Sequence, residues 1–278
     1  MSRNIITSAN PNANFIKFIL VDEISKKRFA DFTEAIRNKW LYKTQFFQRK
    51  LTALEIIQIA EQHHIQLEEV KIHNIDLYEM VTNVSAKFHL SKPTIILTPD
   101  SEPNAGAIGA IKSSVMITSG ILDRLSKPEI ESVLGHEMAH IKNCDVIVLI
   151  SLLSIEWFIR ANFYSGMLFF FIIPYFMALM IVLAYIGKFL EARADMLSAY
   201  TINNGKLVSS FNKIKRPTSI MKKPKNYLEV LACWFDYDPH PPMYFRIQML
   251  KNLSAKKPKF PLLVCIKKVV KATFSIKS

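Results

Sequence analysis

The uncharged stretch from residue 161 to residue 187 constrains the fold of this chain more than any other feature. No residue in it carries a charge, and the part from Met167 to Ile186 is almost wholly apolar. About 20 apolar helical residues span the ~30 Å hydrocarbon core of a bilayer. Pro174 is compatible with such a helix, because membrane helices tolerate proline. We expect a membrane span; the alternative is the central core helix of a soluble protein.

A second apolar run, residues 146–159, precedes this stretch and is interrupted by Glu156. It predicts either a short or tilted span with Glu156 near the interface, or a helix buried against the rest of the protein. We favour a membrane hairpin over residues 146–187, whose two spans leave and return on the same side. A chain of 278 residues then has room for one substantial domain and additions.

Residues 136–140 follow the pattern H-E-x-x-H. A helix is expected here, because Ser126 and Glu129 form a capping-box pattern ahead of apolar residues at helical spacing. On that helix the two histidines project from one face, and Glu137 can reach a water beside a metal. The pattern predicts half of a catalytic zinc site. Two ordinary histidines on an amphipathic helix are the alternative.

A catalytic zinc needs three protein ligands and an open position. Glu191 and Asp195 lie four residues apart among good helix formers, so they share a face. Glu191 would complete the ligand set, while Asp195 would bind the far nitrogen of a ligand histidine. An exposed, charged helix end is the alternative. Cys144, Cys233 and Cys265 show no paired spacing, which argues against a cysteine ligand and suits a reducing compartment.

The hairpin would bring the two ligand-bearing segments together on one side of the membrane. Lys142, Lys188 and Arg193 flank these segments, and only Arg160 marks the short connection. Basic residues favour the cytoplasmic side. We therefore expect the site to face the cytoplasm.

These residues, with others, resemble those of the HtpX-like membrane zinc metallopeptidases, a clan that includes the CAAX prenyl proteases. The resemblance extends over about residues 77–250. It includes the segments Pro-Asn-Ala at 103–105 with Gly109, Thr-Ser-Gly-Ile-Leu at 118–122, the helix ending Ile-Lys-Asn-Cys-Asp at 141–145, residues 191–195, and His-Pro-Pro at 240–242 with Arg246. Gly106 stands where the family usually has an aromatic residue, and we expect no counterpart of its N-terminal membrane hairpin within these 278 residues.

The resemblance implies an α+β fold: a mainly helical, zincin-like metallopeptidase core with a small β-sheet, and a transmembrane helical hairpin inserted between the metal-ligand helices. We place this domain at residues 75–250. Residues 1–74, with a strand expected at 15–21 and helices at 28–50 and 53–65, have no assigned role. Residues 251–278 form a basic amphipathic tail.

The resemblance also implies a zinc endopeptidase holding one Zn²⁺ per chain. Its ligands would be His136, His140 and Glu191. Zinc would polarise the scissile carbonyl and lower the pKa of its water, and Glu137 would act as the general base.

The oxyanion donors implied by the resemblance are His240, assisted by Arg246 and Asn104. By spacing alone, the His-Pro-Pro segment is equally well a rigid turn.

Three short strands are expected at residues 94–98, 107–111 and 115–118, after a helix at 75–88. A small sheet packed on the zinc helix gives an α+β core. If the strand at Val115 is an exposed edge, an extended peptide can pair with it, with its scissile carbonyl over the zinc. We therefore take Val115 as a substrate-binding residue.

Net charge is +13, and from residue 239 to the end there are nine basic and no acidic residues. Apolar residues alternate with these lysines, which favours adsorption to anionic lipid headgroups over nucleic-acid binding. A solvated basic tail is the alternative.

The resemblance implies cleavage of membrane or misfolded proteins by a multi-pass protein of the bacterial inner membrane. A non-catalytic membrane scaffold or chaperone-like binder that retains a metal site is the other hypothesis. A structural zinc usually has four ligands, and no convincing fourth is visible. The sequence does not indicate the oligomeric state.

Overall fold

The fold is taken from a computed structural model, which describes residues 6–7, 14–20, 31–36, 38–39, 52–65, 70–98, 100, 102–109, 112–163, 172–203, 205–214 and 224–274. The described part is mainly helical with a small β-sheet, as expected. It divides into two compact units, the first formed by Met1–Ile108 with Lys112–Glu131 and the second by Gly109–Ile111 with Ser132–Ser278.

The described strands are β1 (Ile6–Thr7), β2 (Asn14–Leu20), β3 (Val70–Asp76), β4 (Thr94–Thr98), β5 (Ala105–Ile108) and β6 (Ser114–Thr118). The helices are α1 (residues 31–36), α2 (Ala53–Gln62), α3 (Leu77–Lys87), α4 (Ser119–Arg124), α5 (Lys127–Lys142), α6 (Asp145–Phe163), α7 (Ile172–Ile202), α8 (Leu207–Ile214), α9 (Tyr227–Trp234), α10 (Met243–Lys251) and α11 (Pro261–Thr273).

The first unit contains two small sheets among its described residues. One has the strand order β1-β4-β6-β5, in which only β4 and β6 are parallel, and the other pairs β2 with β3. Val115 on β6 lies opposite Ile95 on one side and Ala107 on the other, and it is fully buried. The prediction that the Val115 strand is an exposed edge is therefore wrong, since β5 covers it.

Capping residues mark the starts of two helices, α2 and α5, as expected from the sequence. Thr52 and Glu55 form both halves of a capping box at the start of α2. At the start of α5, the Glu129 carboxylate accepts from the backbone N–H and hydroxyl of Ser126, so the expected box forms in part. Most of the helix expected at 28–50 lies outside the described residues.

The C-terminal half of α7 forms the centre of the second unit. Ala192 and Met196 on α7 pack with side chains of α9, α10 and α11 in one apolar cluster, completed by Val230, Trp234, Phe245, Met249, Cys265, Val269 and Ala272. Trp234 also donates from its indole N–H to the hydroxyl of Tyr244 at 3.0 Å. This packing fixes which face of α7 is turned toward the other helices of the unit.

The apolar residues of α11 contribute to that cluster. Cys265, Val269 and Ala272 are buried against α7 and α9. The apolar face expected to adsorb to lipid is thus used inside the protein. Among the described residues from 251 onward, four large apolar side chains stay exposed: Phe260, Leu263, Val270 and Phe274.

The N-terminal half of α7, unlike the buried C-terminal half, leaves most of its apolar side chains at least partly exposed. Among the described residues, α7 is the one helix long and apolar enough to cross a membrane, and only 17% of its most apolar 18-residue window is buried. A core helix would be mostly buried, so this exposure argues against the core-helix alternative. α6 likewise exposes large apolar side chains, including Ile155, Trp157 and Phe158.

Candidate metal centre

Helices α5 and α7 approach closely next to the H-E-x-x-H pattern. A Cβ on Gly135 would lie 2.5 Å from Cγ1 of Ile202 and 2.8 Å from Oγ of Ser198, so only glycine fits without a shift. One turn earlier on α5, the Ser198 hydroxyl donates to the carbonyl of Ser132 at 2.9 Å. This close approach brings the histidine face of α5 to the carboxylate face of α7.

The structure brings His136, His140 and Glu191 together. The two Nε2 atoms lie 3.1 Å apart, and each lies 3.3 Å from one Glu191 oxygen, His136 from Oε2 and His140 from Oε1. Ligand atoms placed about 2.0–2.1 Å from a tetrahedral zinc are separated by roughly 3.3 Å. The two 3.3 Å separations end on different oxygens of Glu191; with one ligand atom from each residue, all three atoms lie within 4.8 Å of one another, close enough for one metal ion.

Asp195 on α7 lies next to the imidazole of His136. Its Oδ1 is 2.9 Å from Nδ1 of His136, although this pair is not aligned as a hydrogen bond. Arg246 clamps the same carboxylate, with Nε 2.7 Å from Oδ2 and Nη2 2.6 Å from Oδ1. Arg246 and Asp195 are both buried. Arg246, which was expected to assist His240 as an oxyanion donor, is thus engaged with Asp195, and its Nη2 lies 3.5 Å from Oε2 of Glu191.

A parallel arrangement lies behind His140. Its Nδ1 contacts Oδ2 of Asp145 at 2.8 Å, and Arg193 pairs with the other oxygen of Asp145. Each ligand histidine is therefore backed by an aspartate, and each aspartate by an arginine. Sequence reasoning gave Asp145 no role of its own, although it is the last residue of the family-like segment 141–145. A further local signal was its place at the start of α6, where a helix N-terminus favours an acidic residue.

The donor set fits a cation. Carboxylate oxygens lie 2.9 Å from Nδ1 of His136 and 2.8 Å from Nδ1 of His140, while the two Nε2 atoms face each other and Glu191. In their neutral forms with Nδ1 protonated, both imidazoles would present a lone pair at Nε2. Oε2 of Glu191 is buried and has no hydrogen-bond partner among the described residues. Several electron pairs thus converge on one small space. A divalent metal satisfies them together.

The pKa values of the two histidines reflect this convergence of negative charge. Burial lowers the pKa of His136, but Glu191 and Asp195 outweigh it and raise the pKa to about 10. Burial likewise lowers the pKa of His140, while its contacts with Asp145 and Glu191 raise it to about 9. Burial raises the pKa of Glu191, but the neighbouring histidines and Arg246 hold that pKa well below its usual value. The site therefore favours positive charge at the Nε2 atoms.

Two further predicted site residues lie in the same unit. Glu137 is buried, with 6% of its surface exposed. The side chain of His240 is 46% exposed, and its Nε2 lies 3.7 Å from Oε1 of Glu191. His240 also contacts Oδ1 of Asp238 through Nδ1, at 2.7 Å. The structure thus brings the exposed His240 side chain next to Glu191.

Asn104 and Val115 belong to the first unit. The backbone of Asn104 is bound to Thr118, whose hydroxyl accepts from its N–H and whose N–H donates to its carbonyl. Their assignment as substrate-binding residues stays a prediction for Asn104; for Val115 it rested on the edge position that the sheet order contradicts.

The flanking basic residues are not all surface charges. Lys188 is fully buried, Arg193 is paired with Asp145, and Lys142 is exposed. The charge pattern that indicated a cytoplasmic site therefore depends on Lys142 alone among these three.

Comparison with known proteins gives one family and several relatives. The model of Peptidase family M48 matches residues 71–254. The chain is 44% identical to a Protease HtpX homolog of Gemmatimonas aurantiaca over 75 residues, 26% of this chain and 27% of that protein. It is 33% identical to one of Lactobacillus helveticus over 111 residues, 39% of this chain and 36% of that protein. The chain spans about a quarter to little more than a third of the length of these curated relatives.

Proposed function

Because this chain belongs to peptidase family M48, we propose that it is a membrane-associated zinc endopeptidase. The observation that carries the proposal is the convergence of His136, His140 and Glu191, which offer one ligand atom each within 4.8 Å of one another. Three protein ligands leave the fourth position of a tetrahedral zinc for water or substrate, as in catalytic sites. A structural site would need a fourth protein ligand, and none is grouped with these three among the described residues.

In the proposed mechanism, Glu137 carries a proton from the attacking water to the leaving amine. When bound, zinc supplies Lewis-acid polarisation of the scissile carbonyl and a lowered pKa for the attacking water. Glu137, on the turn that carries both histidines, accepts the proton of that water and later delivers it to the leaving amine. Its burial shields this carboxylate from bulk water.

His240 and Arg246 have separate roles in this proposal. His240 is exposed on the open side of the site, which suits a donor to a developing oxyanion on an entering substrate. Arg246 is buried against Asp195, so we assign it to holding Asp195 and Glu191 rather than to contacting substrate. This replaces its expected role as an oxyanion donor.

Membrane association completes the proposal. The exposed apolar sides of α6 and of the N-terminal half of α7 support a hairpin in the bilayer. We assign the metal centre to the cytoplasmic side, because the exposed Lys142 flanks it and basic residues favour that side. Substrates are then polypeptides of membrane or misfolded proteins. The exposed lysines of α11 support an additional contact with anionic lipid headgroups.

Glu137→Gln tests the proposed reaction. The variant keeps both histidines and Glu191, so it should retain one zinc per chain while casein cleavage falls at least about a hundredfold, as expected for loss of a general base. Glu131→Gln, on the same helix, is the matched control and should cleave like the wild type.

The same measurements distinguish a peptidase from a non-catalytic scaffold that only retains the metal. A chain that holds zinc but cleaves nothing, in wild type and variant alike, would be a metal-retaining binder. Unchanged turnover in Glu137→Gln would contradict the mechanism.

A further inference from the structure

Lys188 is a buried cation close to the metal centre that the proposed mechanism does not use. It lies on α7 three residues before Glu191, and its side chain is fully buried. We propose that Lys188 is a positioning residue that holds the segment 235–242 against α7, so that His240 stays beside Glu191. This inference rests on the proposed function.

The surroundings of Lys188 explain how its charge can be buried. Its Nζ lies 3.0 Å from Oδ1 and 3.3 Å from the carbonyl oxygen of Asp236, and it also contacts the carbonyl oxygen of Asp238. An ammonium group has three donors, and three acceptors surround this one. A buried charge is retained only when it is paired and hydrogen-bonded. All three acceptors belong to the segment that carries His240.

Two neighbouring positions on α7 reinforce the same contact. A Cβ on Gly187 would lie 2.6 Å from Cβ of Pro239, so the segment lies directly against the helix at this glycine. The rings of Tyr185 and Phe235 also meet, with centroids 5.6 Å apart. Contacts at Phe235 and Pro239 thus hold the segment against α7 on either side of the residues that Lys188 contacts.

Asp238 connects this clamp to His240. Its carbonyl oxygen accepts from Lys188, and its carboxylate accepts from the backbone N–H of His240 at 2.9 Å and contacts Nδ1 at 2.7 Å. His240 is thereby oriented with Nε2 3.7 Å from Oε1 of Glu191. Release of the clamp would displace His240 without touching a metal ligand.

A double-mutant cycle tests the inference. Lys188→Met should lower kcat for casein by about tenfold to a hundredfold, the range expected when a catalytic group is misplaced by about 1 Å, with zinc content unchanged. His240→Ala should give a similar loss. Because Lys188 acts through His240, the double variant should be no slower than His240→Ala alone. If the losses of kcat in the two single variants multiply in the double variant, the inference is overturned.

Two control variants separate the clamp from effects of charge and of misfolding. Lys142→Met removes an exposed flanking charge and should leave kcat unchanged; a loss equal to that of Lys188→Met would assign the effect to charge and overturn the clamp. Asp236→Asn removes the carboxylate charge that pairs with Lys188, so it should lower kcat several-fold even if Lys188→Met fails to fold. Wild-type turnover in Asp236→Asn and in a folded Lys188→Met would overturn the inference.

Amide hydrogen exchange makes the test independent of peptidase activity. In Lys188→Met, or in Asp236→Asn, exchange should accelerate across residues 235–242 and stay unchanged across 136–142. Unchanged exchange at 235–242 would overturn the clamp even in an active enzyme. Faster exchange in a chain that cleaves nothing would support the clamp while the proposed function failed.

Discussion

At the scale of single residues, the two ligand histidines make stability depend on pH. Their pKa values rise from 6.5 to about 10 for His136 and about 9 for His140. A raised native pKa stabilises the fold fully below the unfolded value, and the effect is lost as pH rises through the native value. Chelator-treated protein should therefore lose thermal stability between about pH 6.5 and pH 10. Calorimetric melting temperatures measured across that range check this, and a rising melting temperature would contradict it.

A second prediction at this scale concerns Asp145. Its carboxylate orients the imidazole of His140, and loss of such a partner typically weakens metal binding about 10–100-fold. Asp145→Asn should weaken zinc affinity by that factor in competition with a chromophoric chelator. Asp31→Asn, an exposed aspartate on α1, should bind zinc like the wild type. Equal affinities in both variants would show that His140 needs no such support.

At the scale of elements, the contact between α5 and α7 determines the ligand geometry. Glycine to alanine inside a helix ordinarily stabilises by about 1 kcal/mol. Gly135→Ala should instead destabilise by about 1–3 kcal/mol, because its Cβ meets Ile202 and Ser198 and forces the helices apart. Zinc affinity should fall with it. Chemical denaturation and zinc competition measure both effects.

Gly106→Ala is the control for that prediction. Among the described atoms, nothing lies within 4 Å of a Cβ built on Gly106, so stability and zinc affinity should stay near wild type. A Gly135→Ala protein as stable as this control would mean that the helices separate without cost.

Sequence reasoning succeeded for elements where local chemistry decides. The capping residues of α2, the β-branched residues of β4 and the spacing of the histidines on α5 each act within one turn or strand. It failed for β6, because strand order depends on a parallel pairing with β4 that no adjacent residue signals. The roles of Lys188 and Asp145 were also missed. Lys188 pairs with Asp236 and Asp145 with Arg193, each 48 residues away in sequence, so these pairs form only once the chain has packed.

At the scale of the whole molecule, α7 joins two environments. Its 31 residues are about 46 Å long, more than a bilayer core requires, so its exposed apolar half and its buried Glu191 half can occupy different media. The proposed orientation places the Glu191 half in the cytoplasm.

The native cysteines provide a test of that orientation. Cys144 is exposed beside α5, whereas Cys265 is fully buried. In bacterial spheroplasts expressing the Cys233→Ser variant, a membrane-permeant maleimide should label Cys144 and an impermeant one should not. Lysis should make both reagents equally effective. Labelling by the impermeant reagent before lysis would place the metal centre on the opposite side.

The paired aspartate–arginine arrangement behind the histidines has a consequence for when the metal is acquired. Glu137, Glu191 and the two aspartates oppose two arginines, so the cluster carries a formal charge of about −2 before its imidazoles take up charge. Either one dication or two protons brings it to neutrality. Protonated imidazoles can thus stand in for the metal in the folded chain, and under the proposed function the cell's supply of metal would set how many copies are active.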